Sequence, residues 1–201
     1  MRNSSIPVIG FFLASFVVSP TFAGSEVVAT KSLTIQPTGP RSGDAGSKYL
    51  NIEGKSNEKY ASFGVLVFEL SKEIQGKQIK SLKLNLIQSI PRFAKDGGIK
   101  FFLAEDPSDE GKLKFDPDAL DGVGSQIRSL HPLGSGQFKK IETGKADVFT
   151  LTLDDAVRER LVKGGKMCLV IIPADETVAA TYFGATEGAK DKSPRLMFDL
   201  P

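Results

Sequence analysis

The clearest hydrophobic pattern in the chain lies in two neighbouring stretches, residues 61–70 and 79–88, which a short polar connection joins. The first stretch is apolar on both faces of an extended backbone, which is typical of a central strand covered on both sides. One face carries Phe63, Val65 and Val67, and the other carries Leu66, Phe68 and Leu70. The second stretch predicts a half-buried strand, because Leu82, Leu84 and Leu86 alternate with Lys83 and Asn85.

Further short apolar segments predict strands around this pair, separated by turns rich in glycine and polar residues. These segments lie at residues 32–36, 49–53, 99–104, 147–153, 167–172, 178–183 and 195–200. About ten strands with few helical signals predict an all-β fold, a jelly-roll β-sandwich. We expect one domain over residues 31–201, preceded by a short lead-in at residues 24–30.

One short connecting helix is predicted near residues 154–163. Asp154 and Asp155 place negative charge at its amino end, where the helix dipole favours it. Leu153, Val157 and Leu161 recur at intervals of four, and two glycines follow the last turn.

The least patterned part of the chain is residues 105–136, which are rich in Asp, Gly, Ser and Pro. A structureless loop of this length is uncommon in a compact domain, so we expect short strands or turns within it. The fragments 113–115 and 138–141 are the strand-like candidates.

The amino terminus has the three-part pattern of a secretory signal peptide. A single early positive charge precedes an apolar run over residues 6–18, and small residues end the segment at Ala23. An uncleaved membrane anchor is the alternative, but this run is shorter than the roughly 20 residues that span a bilayer. We therefore expect residues 1–23 to be removed and the chain to be secreted, to an extracellular, periplasmic or cell-surface location. No membrane span is expected after cleavage.

Charge and cysteine content narrow the function classes. The chain has 26 basic and 24 acidic residues, scattered without a basic patch, which argues against nucleic-acid binding. Its one cysteine, Cys168, lies in an apolar strand and is expected to act as a small hydrophobic residue. No intramolecular disulfide is available, so stability must come from packing or from a bound ion.

The order of the segments resembles a known module. The quoted segments are ASFGVLVFEL, IKSLKLNLI, FTLTLDDAVRERLVKGGKMCLVIIP, TYFGATEG and SPRLMFDL. Together they resemble the DNRLRE-type, or TGF-β propeptide-like, jelly-roll modules of exported bacterial proteins, which are close to a carbohydrate-binding module family. The resemblance covers the first half of the domain and its final third, and it implies a jelly-roll fold and an accessory binding role. The chain departs from it in having no tryptophan and in residues 105–136.

Enzyme chemistry has little support in the sequence, and no catalytic residue is assigned. The one histidine, His131, lies in a Gly/Ser/Pro-rich stretch that predicts a surface loop. Glycoside hydrolysis needs only two carboxylates at a set separation, so the acids of residues 105–121 define an alternative function as a small carbohydrate-active hydrolase or lyase. They are Glu105, Asp106, Asp109, Glu110, Asp116, Asp118 and Asp121.

A structural calcium ion is the cofactor that the sequence suggests. Hard oxygen ligands from loop carboxylates suit exported β-sandwiches that lack disulfides. Asp116, Asp118 and Asp121 form the densest oxygen cluster, and residues 43–46 form a second candidate.

Sugar binding uses exposed aromatic faces beside polar groups. The three tyrosines, Tyr49, Tyr60 and Tyr182, and Arg92 beside Phe93 are the predicted ligand-binding residues. The sequence therefore predicts a non-catalytic binding or structural module of the cell envelope or extracellular space, with polysaccharide or a cell-surface protein as its partner. It does not define the oligomeric state.

Overall fold

Antiparallel strands are the main secondary structure of the computed structural model, which describes residues 24–41, 48–70, 74, 77–89, 91–105, 110–119, 121–185 and 190–200. The strands are β1 (Gly24–Gln36), β2 (Gly39–Pro40), β3 (Tyr49–Glu53), β4 (Phe63–Leu70), β5 (Ser81–Ile87), β6 (Gly97–Ala104), β7 (His131–Phe138), β8 (Ala146–Leu151), β9 (Gly165–Pro173), β10 (Ala179–Phe183) and β11 (Arg195–Asp199). One α-helix, α1 (Asp155–Lys163), is described with them. The predicted all-β, jelly-roll-like class is confirmed.

Strand β1 belongs to two sheets. Its first half, from Gly24 to Val28, pairs with β11, and its second half, up to Ile35, pairs with β4. The register of β1 shifts between Ala29 and Lys31, which is how a strand turns a corner between two sheets. The strand order is β7-β6-β9-β4-β1-β11-β5-β8, and β2 pairs beside β1. Strands β4 and β5 therefore lie in opposing sheets.

The two end strands, β7 and β8, approach each other and nearly close the sandwich. The backbone N–H of Thr152, just after β8, donates to the carbonyl of Leu133 in β7 at 2.8 Å. The rings of Phe101 and Phe149 pack across this closure with centroids 4.8 Å apart. The end strands are thus partly covered, which protects exposed strand edges from pairing with other chains.

Strands β3 and β10 form a separate two-stranded unit, here called the ribbon. Gln88 bridges to Tyr182 and Lys95 bridges to Ala179 along the outer edge of β10. On the β3 edge, the Asn51 N–H donates to the Thr34 hydroxyl at 2.9 Å. The ribbon is therefore fastened to the sandwich along both edges.

The inner core fills the space between the two sheets and the ribbon. Leu66, Phe68 and Leu70 of β4 enter it, and so do Leu82, Leu84 and Leu86 of β5. The alternation predicted for β5 is confirmed, because these leucines are buried while the intervening residues are partly exposed.

A second cluster, here called the outer core, lies on the opposite face of β4 and β9. Phe63 and Val65 of β4 join Cys168, Val170 and Ile172 of β9 in this cluster. Leu113, Phe115, Val123 and Ile127 cover them. These four side chains from the unpatterned region form a packed layer, which explains why β4 is apolar on both faces. The fragment 113–115 is not a strand, because its side chains insert into this layer instead of joining a ladder.

Helix α1 forms where it is predicted. The Asp154 side chain caps its amino end by accepting a hydrogen bond from the Val157 N–H at 3.1 Å. Val157 and Leu161 are buried in the inner core, and Gly164 ends the helix with a φ of 67°.

Two boundaries differ from the predictions. Residues 24–30 are not a lead-in but the first part of β1, held by the ladder to β11. The strand predicted at 138–141 instead spans His131–Phe138, so His131 begins a strand rather than lying in a loop. The expected signal segment, residues 1–23, lies outside the described residues. In the part that is described, no helix is long and apolar enough to cross a membrane.

Candidate ligand-binding face

The outward face of the ribbon carries a pair of aromatic rings. Residues alternate along β3, so Leu50 and Ile52 are buried in the inner core while Tyr49 points to the other side. Phe183 lies directly opposite Tyr49 in the antiparallel register. Their ring centroids are 6.1 Å apart at an interplanar angle of 35°, and both side chains are partly exposed. The pair forms a small aromatic platform beside solvent.

Two lysines flank this platform. The Lys48 ammonium lies 5.7 Å from the Tyr49 ring centroid, and the Lys192 ammonium lies 5.0 Å from that of Phe183. Cations at these distances are attracted to the electron-rich ring faces. Along the same face of the ribbon, the next cross-strand pair is Asn51, which is partly exposed, and Thr181, which is buried. The aromatic surface is therefore bordered by charged and polar groups.

Glu53, the last residue of β3, lies on the same face as Tyr49 and Asn51. Burial raises the pKa of its carboxyl from 4.5 to about 7, although the positive charges of Arg41 and Lys95 act to lower it. At neutral pH this carboxyl exists in both protonation states, so it can accept a hydrogen bond or donate one.

Replacing Glu53 with glutamine is expected to remove a pH-dependent loss of stability. The folded chain holds the Glu53 proton more tightly than the unfolded chain does. The stability that this tighter proton binding gives the folded chain is complete below pH 4.5 and is lost as the pH rises from 4.5 through about 7. At pH 8 we expect the free energy of unfolding of Glu53→Gln to exceed that of wild type by roughly 1–2 kcal/mol. This figure allows for solvent screening, because the group is partly exposed. Urea unfolding at pH 5 and pH 8 measures the difference.

The control for that experiment is Glu142→Gln, which changes the same charge at an exposed position. It should follow the wild-type pH dependence. A Glu53→Gln variant whose stability relative to wild type is the same at both pH values would show that burial does not hold the proton.

Tyr182 was predicted to bind ligand, and this prediction is wrong. Its side chain is fully buried in the inner core, and its hydroxyl donates to the Asp147 Oδ2 atom at 3.0 Å. The Gln88 amide donates to the same oxygen at 2.9 Å. Burial raises the pKa of Asp147, while both hydrogen bonds act to lower it. Tyr182 therefore anchors a structural polar network and offers no ring face to a ligand.

Tyr60 and Arg92 are exposed but do not join the aromatic pair. Tyr60 follows the opposite end of β3, with Lys59 over its ring at 4.9 Å. Arg92 lies over the ring of Phe93, which is 68 % exposed, in the short turn before β6. Of the four predicted ligand-binding residues, Tyr49 alone is in the platform.

The three predicted calcium ligands do not converge. The Asp116 carboxylate accepts a hydrogen bond from the backbone N–H of Asp118 at 3.0 Å. The Asp121 carboxylate accepts hydrogen bonds from the backbone N–H groups of Val123 and Gly124, at 2.9 and 3.0 Å. These bonds shape a turn. Within the described ranges, no group of three or more His, Cys, Asp or Glu residues could hold a metal ion. The second candidate, residues 43–46, lies outside the described residues.

The acids of the alternative hydrolase are engaged separately. Glu105 accepts a hydrogen bond from the Ser129 hydroxyl at 3.1 Å, and Glu110 forms an ion pair with Lys31 at 2.5 Å. Asp106 and Asp109 lie outside the described residues. His131 pairs with the helix cap Asp154 at 2.7 Å. Hydrogen bonds from Val157 and His131 lower the pKa of Asp154. These contacts favour structural roles for the acids over a catalytic pair.

Sequence reasoning missed two members of the face. Phe183 is adjacent to Tyr182 in an apolar segment, so only the strand register shows which of the two rings points outward. Glu53 follows Ile52 as an ordinary strand residue, and its raised pKa arises from tertiary burial that no local pattern signals.

The fold and this face together define an antiparallel β-sandwich of jelly-roll type that carries an aromatic platform bordered by cations. Comparison of the chain with protein-family models and with curated proteins yields no match in either case.

Proposed function

We propose that the chain is an exported, non-catalytic binding module that holds a polysaccharide on the outward face of the ribbon. The observation that carries the proposal is the Tyr49–Phe183 platform, because two neighbouring, partly exposed aromatic rings suit the C–H surfaces of sugar rings. The neighbouring Asn51, which is partly exposed, suits the sugar hydroxyl groups, which need partners that fix orientation.

Three further points favour this function. Strand β3 is fastened on both sides, by β10 and by Thr34, so the platform is held rigidly before a ligand arrives. The signal-peptide pattern of residues 1–23 supports export, where polysaccharides are abundant partners. The resemblance of the strand order to exported jelly-roll modules supports the same class of role, although fold alone does not fix function.

The test is thermal unfolding of the purified chain with a panel of neutral oligosaccharides. A ligand that binds only the folded chain raises the Tm by mass action, by the equivalent of about 2.7 kcal/mol at a hundredfold excess over Kd. Tyrosine fluorescence gives a second readout, because the chain has three tyrosines and no tryptophan. We expect Tyr49→Ala to abolish both signals.

Tyr60→Ala is the matched control, since Tyr60 is also exposed but lies beyond the other end of β3. It should bind as wild type does. If Tyr49→Ala keeps full binding, the platform is not the site. If no oligosaccharide shifts the Tm, the carbohydrate function fails and a structural or protein-binding role replaces it.

A further inference from the structure

Two connections at one end of the sandwich carry exposed apolar side chains. Phe93 lies between β5 and β6, and it is 68 % exposed, the largest fraction among the large hydrophobic residues in the described part of the chain. Ile141 lies between β7 and β8 and is 52 % exposed. Isolated exposed apolar residues are ordinary on a protein surface, so their meaning depends on whether they share one surface.

The strand register brings the two connections together. Ile87 at the end of β5 lies opposite Ala146 at the start of β8. Gly97 at the start of β6 lies opposite Phe138 at the end of β7. Both connections therefore pass from one sheet to the other across the same end of the sandwich.

Gln88, which follows β5, fastens the two connections to each other. Its side chain is buried, and the amide nitrogen donates to the Lys139 carbonyl at 2.8 Å while the amide oxygen accepts from the Ile141 N–H at 3.1 Å. Its backbone N–H donates to the Lys145 carbonyl, and its carbonyl accepts from the Gly144 N–H, each at 2.8 Å. Buried polar groups with satisfied hydrogen bonds make their surroundings rigid, so Ile141 is presented from a fixed backbone.

Asp96 makes a further link, on the side of Phe93 that leads into β6. Its carboxylate accepts a hydrogen bond from the backbone N–H of Lys140 at 2.8 Å. On the other side of Phe93, the Ser89 carbonyl accepts a hydrogen bond from the Thr143 hydroxyl. The segment that carries Phe93 is thus tied at both ends to the connection between β7 and β8, and the two exposed side chains belong to one surface.

Exposed cations surround this surface. The guanidinium carbon of Arg92 lies 5.7 Å from the Phe93 ring centroid. The connection that carries Ile141 has three exposed lysines, Lys139, Lys140 and Lys145. In the part of the chain that the structure describes, none of these four cations forms an ion pair with a carboxylate. Their charges are therefore open to a partner.

The carboxylates near the surface do not cancel this charge. Asp96 and Glu142 lie on the two connections, so four cations face two carboxylates and leave an excess of two positive charges. Two more charged residues adjoin them, Lys95 and Asp147, and these add one charge of each sign. Both are already hydrogen-bonded within the protein, and the excess is the same when they are counted.

We propose that this surface docks on an anionic phospholipid bilayer. It is here called the basic tip and consists of Arg92, Phe93, Lys139, Lys140, Ile141 and Lys145. Apolar side chains held on a fixed backbone enter the interfacial layer of a bilayer, while arginine and lysine heads remain with the anionic headgroups. An acidic polymer dissolved in water attracts the same cations but offers Phe93 and Ile141 no apolar phase. The basic tip shares no residue with the aromatic platform, so the two surfaces are independent.

The chain has no tryptophan, so a single tryptophan can report on the basic tip alone. Phe93→Trp supplies it, and its fluorescence emission shifts to shorter wavelength when the indole ring leaves water for the bilayer interface. The full-length variant is mixed with vesicles of pure phosphatidylcholine and with vesicles of an equal mixture of phosphatidylcholine and phosphatidylglycerol. We expect this blue shift with the mixed vesicles only, and weaker binding as the salt concentration rises, because exposed charges are screened.

Val162→Trp is the matched control. Val162 is 61 % exposed on α1, which follows the far end of β8 and therefore lies at the opposite end of the sandwich. The emission of this variant should not change with either kind of vesicle. The rest of the chain is the same in both variants, so any other segment that adsorbs to lipid is present in both.

Vesicle sedimentation of further variants separates the apolar from the charged contribution. Phe93→Ala should weaken binding to the mixed vesicles about tenfold or more, because one buried ring is lost. Lys139→Gln/Lys140→Gln should weaken it about 25-fold, because each cation near an anionic surface contributes about fivefold. Its control, Lys77→Gln/Lys80→Gln, removes the same charge from exposed residues before β5, at the opposite end of the sandwich. The control should bind within about twofold of wild type, since charges that far from the bilayer are screened.

Each of the opposite outcomes overturns the proposal. If Phe93→Trp shows no blue shift with the mixed vesicles, the basic tip does not enter a bilayer. An equal shift with pure phosphatidylcholine means that the cations do not select an anionic surface, and an equal shift of Val162→Trp means that the chain adsorbs without orientation. Equal weakening of the two double lysine variants means that only net charge matters. If dextran sulfate in solution produces the same blue shift, the partner is an acidic polymer and not a membrane.

Discussion

Gly54→Ala is expected to lower the free energy of unfolding by roughly 3 kcal/mol or more, because the new methyl group has no space. An ideal Cβ at this position would lie 2.3 Å from the carbonyl oxygens of both Asp175 and Glu176. Those atoms are backbone, so no side-chain rotation can relieve the contact. The φ of Gly54 is −66°, so the glycine is needed for close approach and not for an unusual backbone conformation.

This close approach joins the ribbon to the loop between β9 and β10. The Gly54 N–H donates to the Val178 carbonyl and the Ser56 N–H donates to that of Glu176, each at 2.9 Å. The expected loss in Gly54→Ala therefore includes these hydrogen bonds, which the displaced loop could no longer make. Urea unfolding at constant pH measures the change in midpoint.

Gly144→Ala separates steric crowding from backbone strain. Gly144 has a φ of 87°, but no atom lies within 4 Å of its ideal Cβ. We expect this control to cost about 1 kcal/mol, the penalty of a left-handed conformation. A Gly54→Ala variant that costs no more than Gly144→Ala would mean that the 174–176 loop moves away without loss.

Phe115→Ala is expected to destabilise the chain by about 3–4 kcal/mol, because it leaves a cavity in the outer core. Phe115 is 4 % exposed and packs in the cluster that includes Phe63, Val170 and Ile172. Its backbone N–H also donates to the Gln36 carbonyl at 3.0 Å, which ties the segment to the end of β1. Denaturant unfolding of the variant measures how much this layer of the outer core contributes to the stability of the fold.

Phe93→Ala is the matched control, since it removes the same side chain from a position that is 68 % exposed. It should change stability by no more than about 0.5 kcal/mol. If Phe115→Ala changed the free energy of unfolding equally little, the outer core would contribute little to stability. The apolar outer face of β4 would then tolerate exposure to solvent.

Local pattern was sufficient for the elements whose side chains obey a simple period. The two-sided apolar pattern of β4, the alternation of β5 and the four-residue spacing of α1 all predicted elements that the structure contains. The Asp154 cap was visible for the same reason, because helix ends have a chemical signature.

The hydrophobic pattern did not predict the segments where the backbone is irregular or where close packing requires a glycine. Leu113, Phe115, Val123 and Ile127 reach one apolar surface from turns, so their spacing has no period. Strand β7 has a glycine at position 136, where an ideal Cβ would lie 2.4 Å from the Phe149 ring. Its sequence therefore resembles a loop, although it pairs with β6 along its length.

The candidate site was predictable only in part. Composition and exposure rules singled out Tyr49, but its partner Phe183 depends on the cross-strand register between distant segments.

The passage of β1 from one sheet to the other has a consequence for how the molecule opens. Its first half hydrogen-bonds to β11 and its second half to β4, so each sheet depends on the same continuous backbone. A fluctuation that pulls β1 away from either sheet weakens both, and neither sheet is a separable folding unit. The sandwich is therefore expected to unfold cooperatively, because one continuous strand belongs to both sheets. Local fluctuations open its edges, whereas global unfolding requires both sheets to separate together.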